Sequence, residues 1–212
     1  MWSDRVFSPG EIVLFSTHFC TGEPGEWIVL RTNEEEGTAL ISATESVGRV
    51  PYNKIDDEPV TWENCYLRTW LNKVFFYYFR TKEKAAIRET ETPVSDDGSK
   101  TTRDYVFILS ESEANTLFKD NEERVLLCNH EFNKIWYRVG GWRDSSSWWL
   151  RADSTVDEKS KKQVAPVCSP DGDLGYHHNT NSKTTGVRPC IWVDQSALRK
   201  KNEIELEFLK EN

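Results

Sequence analysis

The chain has 212 residues, of which 37% are hydrophobic and 29% charged, so it carries enough apolar mass for a buried core and is not of a disordered composition. Its 27 basic and 35 acidic side chains leave a net charge of −8, which argues against a nucleic-acid partner because phosphates attract a basic face. No run of about 18 apolar residues is present, so we expect no insertion into a membrane.

The N-terminus and the cysteines indicate the compartment. The stretch MWSDRVFSPGE is charged and lacks the apolar segment of a secretory signal. The cysteines are scattered, odd in number and never in a CxxC pair, which is typical of reduced thiols rather than of a disulfide framework or a zinc site. We therefore expect a cytoplasmic protein, with non-classical export or association with a virion as the alternative. We also expect no metal, no cofactor and five free thiols: Cys20, Cys65, Cys128, Cys168 and Cys190.

The first part of the chain is predicted to form an antiparallel meander. Three short β-rich runs, EIVLFS, EWIVLRT and TALISA, begin at residues 11, 26 and 38. The stretches TGEPGE and NEEEGT between them are rich in turn-forming residues.

A helix with a broad apolar face is predicted next. Thr61 is the candidate N-cap, and apolar side chains then recur at a spacing of three to four residues. The predicted face consists of Trp62, Tyr66, Trp70, Val74 and Tyr77, with Leu67, Leu71, Phe75 and Tyr78 beside it. We place Trp70 and Leu71 in the core. A second short helix is predicted over residues 81–89, with Thr81 as its cap.

The middle of the chain contains a recognisable capping box. A turn-rich loop is predicted over residues 92–104, followed by a strand, YVFILS, over 105–110. Ser110 and Glu113 have the spacing at which a hydroxyl and a carboxylate satisfy each other's backbone donors at a helix start. That helix is predicted to end near Phe118.

The remainder is predicted to be mostly loop, with strands at 148–151, 163–168 and 187–193. The tail alternates like a strand at Ile204, Leu206 and Phe208, yet it carries the Glu and Lys residues of a surface helix, so both structures stay open. No linker divides the chain. We therefore predict one domain over residues 1–194 and a charged tail over 195–212.

Several motifs follow one another in a characteristic order. They are EWIVL and TALIS, the Trp-Leu-Asn helix, RDYVFILSESEA, SWWLR, and GVRP followed by an apolar strand. Together they resemble a bacterial domain family of uncharacterised function that is common in gut Firmicutes and their mobile elements, over roughly residues 10–194.

That family resembles the C-type-lectin-like fold, which also occurs in formylglycine-generating enzymes and in the variable proteins of diversity-generating retroelements. The resemblance implies an α+β fold with a small twisted antiparallel sheet, two main helices and long loops, in which the N- and C-terminal strands lie near each other. It also implies that the paired-Trp strand and the Gly-x-Arg strand are structural features of the core. A shared fold does not by itself assign a function.

The stretch SSSWWLRADS raises the question of whether Trp148 and Trp149 form a platform for a ligand. In a strand, successive side chains point to opposite faces, so the two rings cannot share one flat platform, and we expect them in the core. Arg151 and Arg188 are predicted to be structural in the same way. Their guanidinium groups are expected to bind loop carbonyls and a carboxylate, and an anion clamp is the alternative.

The recognition surface is predicted on the long loops at 136–147, 152–163 and 169–186. The composition around residues 176–181 is similar to that of adaptable binding loops. Adjacent histidines make a poor metal chelate, and a turn with two aspartates falls short of the six to eight oxygens that Ca²⁺ takes. The predicted binding residues are Trp142, Arg143, Asp171, Tyr176, His177, His178, Asn179 and Asn181.

The sequence therefore favours a non-catalytic module that binds a protein, a glycan or a small molecule, including a phage-associated or retroelement-diversified receptor. One alternative is an oxidoreductase resembling the formylglycine-generating enzymes, in which Cys168 and Cys190 would supply cysteine chemistry. A reactive thiol needs exposure and a lowered pKa, and Cys190 lies in the apolar stretch CIWV, which favours an inert thiol. A structural component of a phage or secreted particle is the third possibility. The sequence leaves the oligomeric state open.

Overall fold

The structure is a computed structural model that describes residues 7–17, 24–95, 98–128 and 145–201. The strands in these ranges are β1 (Ile12–Thr17), β2 (Pro24–Asn33), β3 (Thr38–Ala43), β4 (Ile87–Arg88), β5 (Thr90–Pro93), β6 (Thr101–Asp104), β7 (Trp148–Trp149), β8 (Thr155–Val156), β9 (Gln163–Cys168), β10 (Tyr176–Asn179), β11 (Cys190–Asp194) and β12 (Arg199–Lys200). The α-helices are α1 (Tyr66–Trp70), α2 (Phe76–Tyr78), α3 (Thr81–Ala86), α4 (Glu111–Leu117) and α5 (Asn121–Arg124). A π-helical segment (Leu71–Phe75) joins α1 to α2, and a short 3₁₀ helix (Gln195–Ala197) follows β11. None of these helices has the length and apolar character needed to cross a bilayer.

The strands form antiparallel sheets, and together with the helices they give an α+β fold. The large sheet has the order β12-β1-β2-β3-β11-β4. A second sheet has the order β10-β9-β7, with β8 also paired to β9, and β5 pairs with β6 as a separate hairpin. The predicted meander is confirmed, because β1, β2 and β3 pair in sequence. Strand β11 then returns beside β3, so the late part of the chain completes the sheet that the early part began.

The helical region begins later than the sequence predicted. Thr61 does not cap the helix, because its backbone N–H and hydroxyl both bond the Oδ1 of Asn64 in a turn that precedes it. The N-cap is Cys65, whose sulfur accepts from the backbone N–H of Arg68 at 3.3 Å. Thr81 is likewise the first residue of α3 and not its cap.

The buried face of this helical region is narrower than predicted. Leu67, Leu71, Phe75 and Phe79 are buried at steps of four residues. The wider i→i+5 turn of the π-helical segment keeps residues four to five apart on the same side. Trp70 is half-buried and stacks on Phe75, with 5.8 Å between ring centroids. Three residues of the predicted face are instead exposed: Val74, Tyr77 and Tyr78.

In the segment 92–110, strands occur where a loop was predicted, and the predicted strand does not form a ladder. The predicted loop contains the β5–β6 hairpin. Within the part of the chain that the structure describes, the predicted strand YVFILS makes one bridge, between Phe107 and Cys190. The side chain of Asn72 takes the place of a pairing strand, because its Oδ1 accepts from the N–H groups of Tyr105 and Val106 and its Nδ2 donates to the Val106 carbonyl. The apolar run is thus buried without belonging to a ladder.

The capping box at α4 is confirmed. The Ser110 hydroxyl accepts from the backbone N–H of Glu113, and the Glu113 carboxylate accepts from the backbone N–H of Ser110. The helix ends at Leu117, one residue before the predicted end.

The beginning of the predicted tail belongs to the sheet. Gln195 is buried, accepts from the backbone N–H of Phe7 and donates to the carbonyl of Thr38. Strand β12 pairs with β1. The folded domain therefore continues past the predicted boundary at residue 194, while residues 202–212 lie outside the described part of the chain.

Candidate functional site

Trp148 and Trp149 are both fully buried, on opposite faces of β7. The indole N–H of Trp148 donates to the carbonyl of Arg124 at 2.9 Å, and that of Trp149 donates to the carbonyl of Val50 at 2.8 Å. A buried tryptophan needs such a partner for its polar tip. With both rings enclosed and both N–H groups bonded, this pair offers no surface to a ligand.

Arg188 is a fully buried guanidinium held by backbone carbonyls. Its Nε donates to Ala43 at 2.9 Å, its Nη1 donates to Arg124 at 2.9 Å, and its Nη2 donates to Glu123 at 3.1 Å. The last two carbonyls belong to the C-terminal end of α5, where a cation is favourable to the helix dipole. Arg188 therefore joins α5 to the large sheet.

The surroundings of Arg188 are otherwise apolar. Its guanidinium lies over the rings of Phe118, at 4.3 Å, and of Trp148, at 5.3 Å. Burial lowers the pKa of Arg188 to about 10, so the group still carries its charge at neutral pH. A side chain that is 1% exposed and already bonded in this way is not an anion clamp.

Arg151 is also a buried guanidinium that bonds neighbouring segments, here at the start of α4. Its Nη1 donates to the carbonyl of Ile108 at 2.6 Å, and its Nη2 pairs with the carboxylate of Glu113 at 2.9 Å. Glu113 thereby uses one oxygen for the capping box and the other for Arg151. The Nε of Arg151 is buried and has no hydrogen-bond partner within the described ranges.

A concave site lies beside α4. We call it the hairpin cleft; it is bounded by β5, by residues 107–109, by α4, and by Arg31, Leu40 and Trp192 of the large sheet. Its volume is about 260 Å³. Leu40, Phe107 and Leu109 are buried beneath it, and Trp192 and Leu117 are half-buried in its walls.

The strand register explains how the sheet contributes to the hairpin cleft. Arg31 is directly opposite Leu40, and Leu40 is directly opposite Trp192, so the three side chains form one row across β2, β3 and β11. A register shift between Val29 and Arg31 marks a β-bulge in β2. The bulge changes which residues of β2 share a face with Leu40, and it places a charged residue in an otherwise apolar row.

Two exposed charges of the hairpin cleft have no partner among the described residues. Arg31 and Glu91 both line the cleft, and neither makes an ion pair or a side-chain hydrogen bond there. Across the hairpin from Glu91 stands Arg103, whose guanidinium pairs with Glu89 at 3.4 Å. The carboxylate of Glu113 is occupied by Arg151. The cleft thus combines an apolar base with one unpaired cation and one unpaired anion.

Comparison with protein families assigns the chain to a group. A family model described as a domain of unknown function, DUF6273, matches residues 36–195, which run from the turn before β3 to the start of the 3₁₀ helix. The chain belongs to the DUF6273 family. No curated protein and no solved structure matches it significantly.

The predicted loop surface of this DUF6273 domain is partly a strand. Tyr176–Asn179 form β10 at the edge of the second sheet, against β9. Side chains alternate along a strand, so His177 and Asn179 project from one face and Tyr176 and His178 from the other. The prediction that these four residues lie in a loop is therefore wrong, while Tyr176, His177 and Asn179 are exposed.

His178 points inward. Its Nδ1 lies 2.7 Å from the hydroxyl of Thr185, and its ring meets Trp149 edge-on at 6.2 Å between centroids. Partial burial lowers the pKa of His178, which favours the neutral imidazole. Within the described ranges, no three His, Cys, Asp or Glu side chains are arranged to hold a metal ion.

The turn around Asp171 is built by hydrogen bonds and close packing. The hydroxyl of Ser169 accepts from the N–H groups of Asp171 and Asp173, and the Asp173 carboxylate accepts from the side chain of Asn121 at 2.6 Å. Gly172 has φ +85°, and a Cβ there would lie 2.0 Å from the Asn121 carbonyl, so only glycine fits. Asp171 is exposed and Asn181 half-buried, while Trp142 and Arg143 lie outside the described residues.

The described cysteines are free and buried: Cys65, Cys128, Cys168 and Cys190. Burial raises the pKa of Cys65 and Cys190 to about 12 and that of Cys168 to about 11. The thiolate is the nucleophilic form, so these three thiols are held in their unreactive state.

Native alkylation tests this assignment. We expect iodoacetamide at pH 8 to leave Cys65, Cys168 and Cys190 unmodified in the folded protein, because they are buried and protonated, and to modify all three after unfolding in guanidinium chloride. Peptide mass spectrometry gives the extent of labelling at each position. Rapid labelling of Cys190 in the folded protein would contradict the assignment and favour cysteine chemistry.

Proposed function

We propose that this DUF6273 domain is a non-catalytic binding module whose ligand site is the hairpin cleft. The observation that carries the proposal is the coexistence, in one concave site, of an apolar base with two charges of opposite sign, Arg31 and Glu91, that have no partner in the described part of the chain. Ligand sites are typically concave and mostly apolar, with a few polar groups that orient the ligand.

We further propose that the architecture is C-type-lectin-like. Support comes from the pairing of the early strand β1 with the late strand β12 and of β3 with β11, since the resemblance implies neighbouring terminal strands. The separate small sheet and the connections between short strands are compatible with the same architecture.

The cysteine-based alternative has less support. Cys168 and Cys190 are both fully buried, and their raised pKa values disfavour the thiolate that such chemistry uses. Arg188 lies near both thiols and favours the thiolate, but desolvation is the larger effect on each.

A protein-binding surface on β10 is the second candidate. The strand lies at the edge of its sheet, and the side chain of Tyr176 is 53% exposed. An extended partner segment pairs with such an edge through its main chain.

A fragment screen followed by amide NMR distinguishes these sites. We expect bound fragments to shift the amide signals of Thr90, Glu91 and Leu117. Thr116→Trp, which places an indole at the mouth of the cleft, should abolish these shifts. Asn115→Trp is the matched control, because Asn115 is an exposed residue of α4 that does not line the cleft, and it should preserve them.

The screen has two results that would overturn the proposal. Shifts confined to Tyr176 and His177 would move the site to β10. A screen in which no fragment shifts the residues of the cleft would remove the assigned site altogether.

A further inference from the structure

We infer that the hairpin cleft binds a small zwitterion with an apolar side chain, of the class of free α-amino acids; this inference rests on the proposed function. The charge pattern is the main argument. Glu113 is paired with Arg151, so that, among the residues that the structure describes, Arg31 is the one cation and Glu91 the one anion of the cleft without a partner. Their charges sum to zero, as do those of a zwitterion.

The separation of the two charges supports the same class of ligand. No nitrogen of Arg31 comes within 4.0 Å of a carboxylate oxygen of Glu91, although both side chains line one cleft. A carboxylate and an ammonium carried by one ligand complete both pairs. A dianion would be repelled by Glu91, and a dication by Arg31. The guanidinium of Arg31 is suited to a carboxylate because it presents paired donors in a plane.

The apolar part of the cleft suits the side chain of such a ligand. Leu40 and Leu109 lie at the base, and the half-buried Trp192 and Leu117 offer apolar walls. Burial of apolar surface against these residues adds to the affinity that two exposed ion pairs provide.

The size of the cleft restricts the ligand further. Pockets for drug-sized ligands usually have volumes of about 300–1,000 Å³. The hairpin cleft, with about 260 Å³, is smaller than that range and favours a ligand of amino-acid size over an oligosaccharide or a nucleotide.

Calorimetry with matched analogues tests the requirement for both charges. The probes are L-leucine, N-acetyl-L-leucine, which lacks the ammonium, and L-leucinamide, which lacks the carboxylate. L-Leucine should bind at least about tenfold more tightly than either analogue, and L-phenylalanine should bind with comparable affinity, whereas glycine should bind more weakly because it has no side chain to bury.

Two variants test whether Arg31 binds the carboxylate of the ligand and Glu91 its ammonium group. Arg31→Gln should weaken L-leucine about tenfold and leave L-leucinamide unchanged. Glu91→Gln should weaken L-leucine by a similar factor and leave N-acetyl-L-leucine unchanged. Arg199→Gln and Glu158→Gln are the controls, because both residues are exposed and lie away from the cleft, and neither should alter binding.

Different negative results would contradict the amino-acid inference alone or the proposed binding function as well. If a fragment occupies the cleft but L-leucine and L-phenylalanine do not bind, or if a singly charged analogue binds as tightly as L-leucine, the inference is wrong and the binding module stands. If neither fragments nor amino acids bind in the cleft, both are wrong.

Discussion

Replacing Arg188 with Ala should lower the free energy of unfolding by about 3–5 kcal/mol. The carbonyls of Ala43 and Glu123 lose the donors that the guanidinium provides, and a buried polar group without a partner costs about 1–3 kcal/mol. The carbonyl of Arg124 keeps the indole N–H of Trp148, so it adds less. The cavity left between Trp148 and Phe118 increases the loss.

Arg188→Lys separates charge from geometry. Lysine retains the cation but cannot reach three carbonyls with a planar fork or lie flat against two rings, so it should restore only part of the stability. Arg199→Ala, at an exposed position on β12, should stay within about 0.5 kcal/mol of the wild type. Urea denaturation, fitted with a common m-value, gives the free energy of unfolding of the three variants Arg188→Ala, Arg188→Lys and Arg199→Ala. An Arg188→Ala protein of nearly unchanged stability would show that the carbonyls find other donors and that α5 does not depend on this residue.

The elements that the sequence predicted well are those that use local signals. In the meander strands, apolar and polar residues alternate or apolar residues form a continuous run between turns. The capping box at Ser110 and Glu113 depends on two side chains three residues apart. In both cases the interactions that define the element lie within a short window, so the pattern and the structure agree.

The β5–β6 hairpin was not predicted because its buried positions are polar. Thr92, Thr102 and Asp104 are the inward-facing residues, so no apolar alternation is visible in the sequence. Asp104 is fully buried and accepts from the indole of Trp62 and from the guanidinium of Arg68, which are remote in the chain. The opposite error occurred at YVFILS, an apolar run that bridges β11 at Phe107 and is held at Tyr105 and Val106 by the side chain of Asn72 rather than by a strand.

The hairpin cleft could not be located from the sequence for a related reason. Arg31 and Glu91 look like ordinary surface charges in the chain, and they lie 60 positions apart. What makes them candidates is their presence in one cleft without partners, and this follows from the bulge in β2 and the packing of β5 and α4 beside the large sheet. The sequence instead favoured residues 176–181, where the composition was distinctive but the backbone forms an edge strand.

Leu71→Ala should cost about 2–5 kcal/mol, as core truncations do when the surroundings cannot close the cavity. Leu71 is fully buried at the start of the π-helical segment, in line with Leu67 and Phe75. Val74 lies in the same segment but is 43% exposed, so Val74→Ala is a matched control that should change stability by about 0.5 kcal/mol or less.

Leu71→Met should lose less than about 1.5 kcal/mol, because it conserves volume and adds no polar atom. The order of the stability losses of Leu71→Ala, Val74→Ala and Leu71→Met therefore shows which face of the helical region is buried, whatever the absolute stability of the protein. Equal losses for Leu71→Ala and Val74→Ala in urea melts would mean that the face is rotated from its described position, and the packing of Phe75 on Phe79 and of Phe79 on Phe15 would then have to be reconsidered.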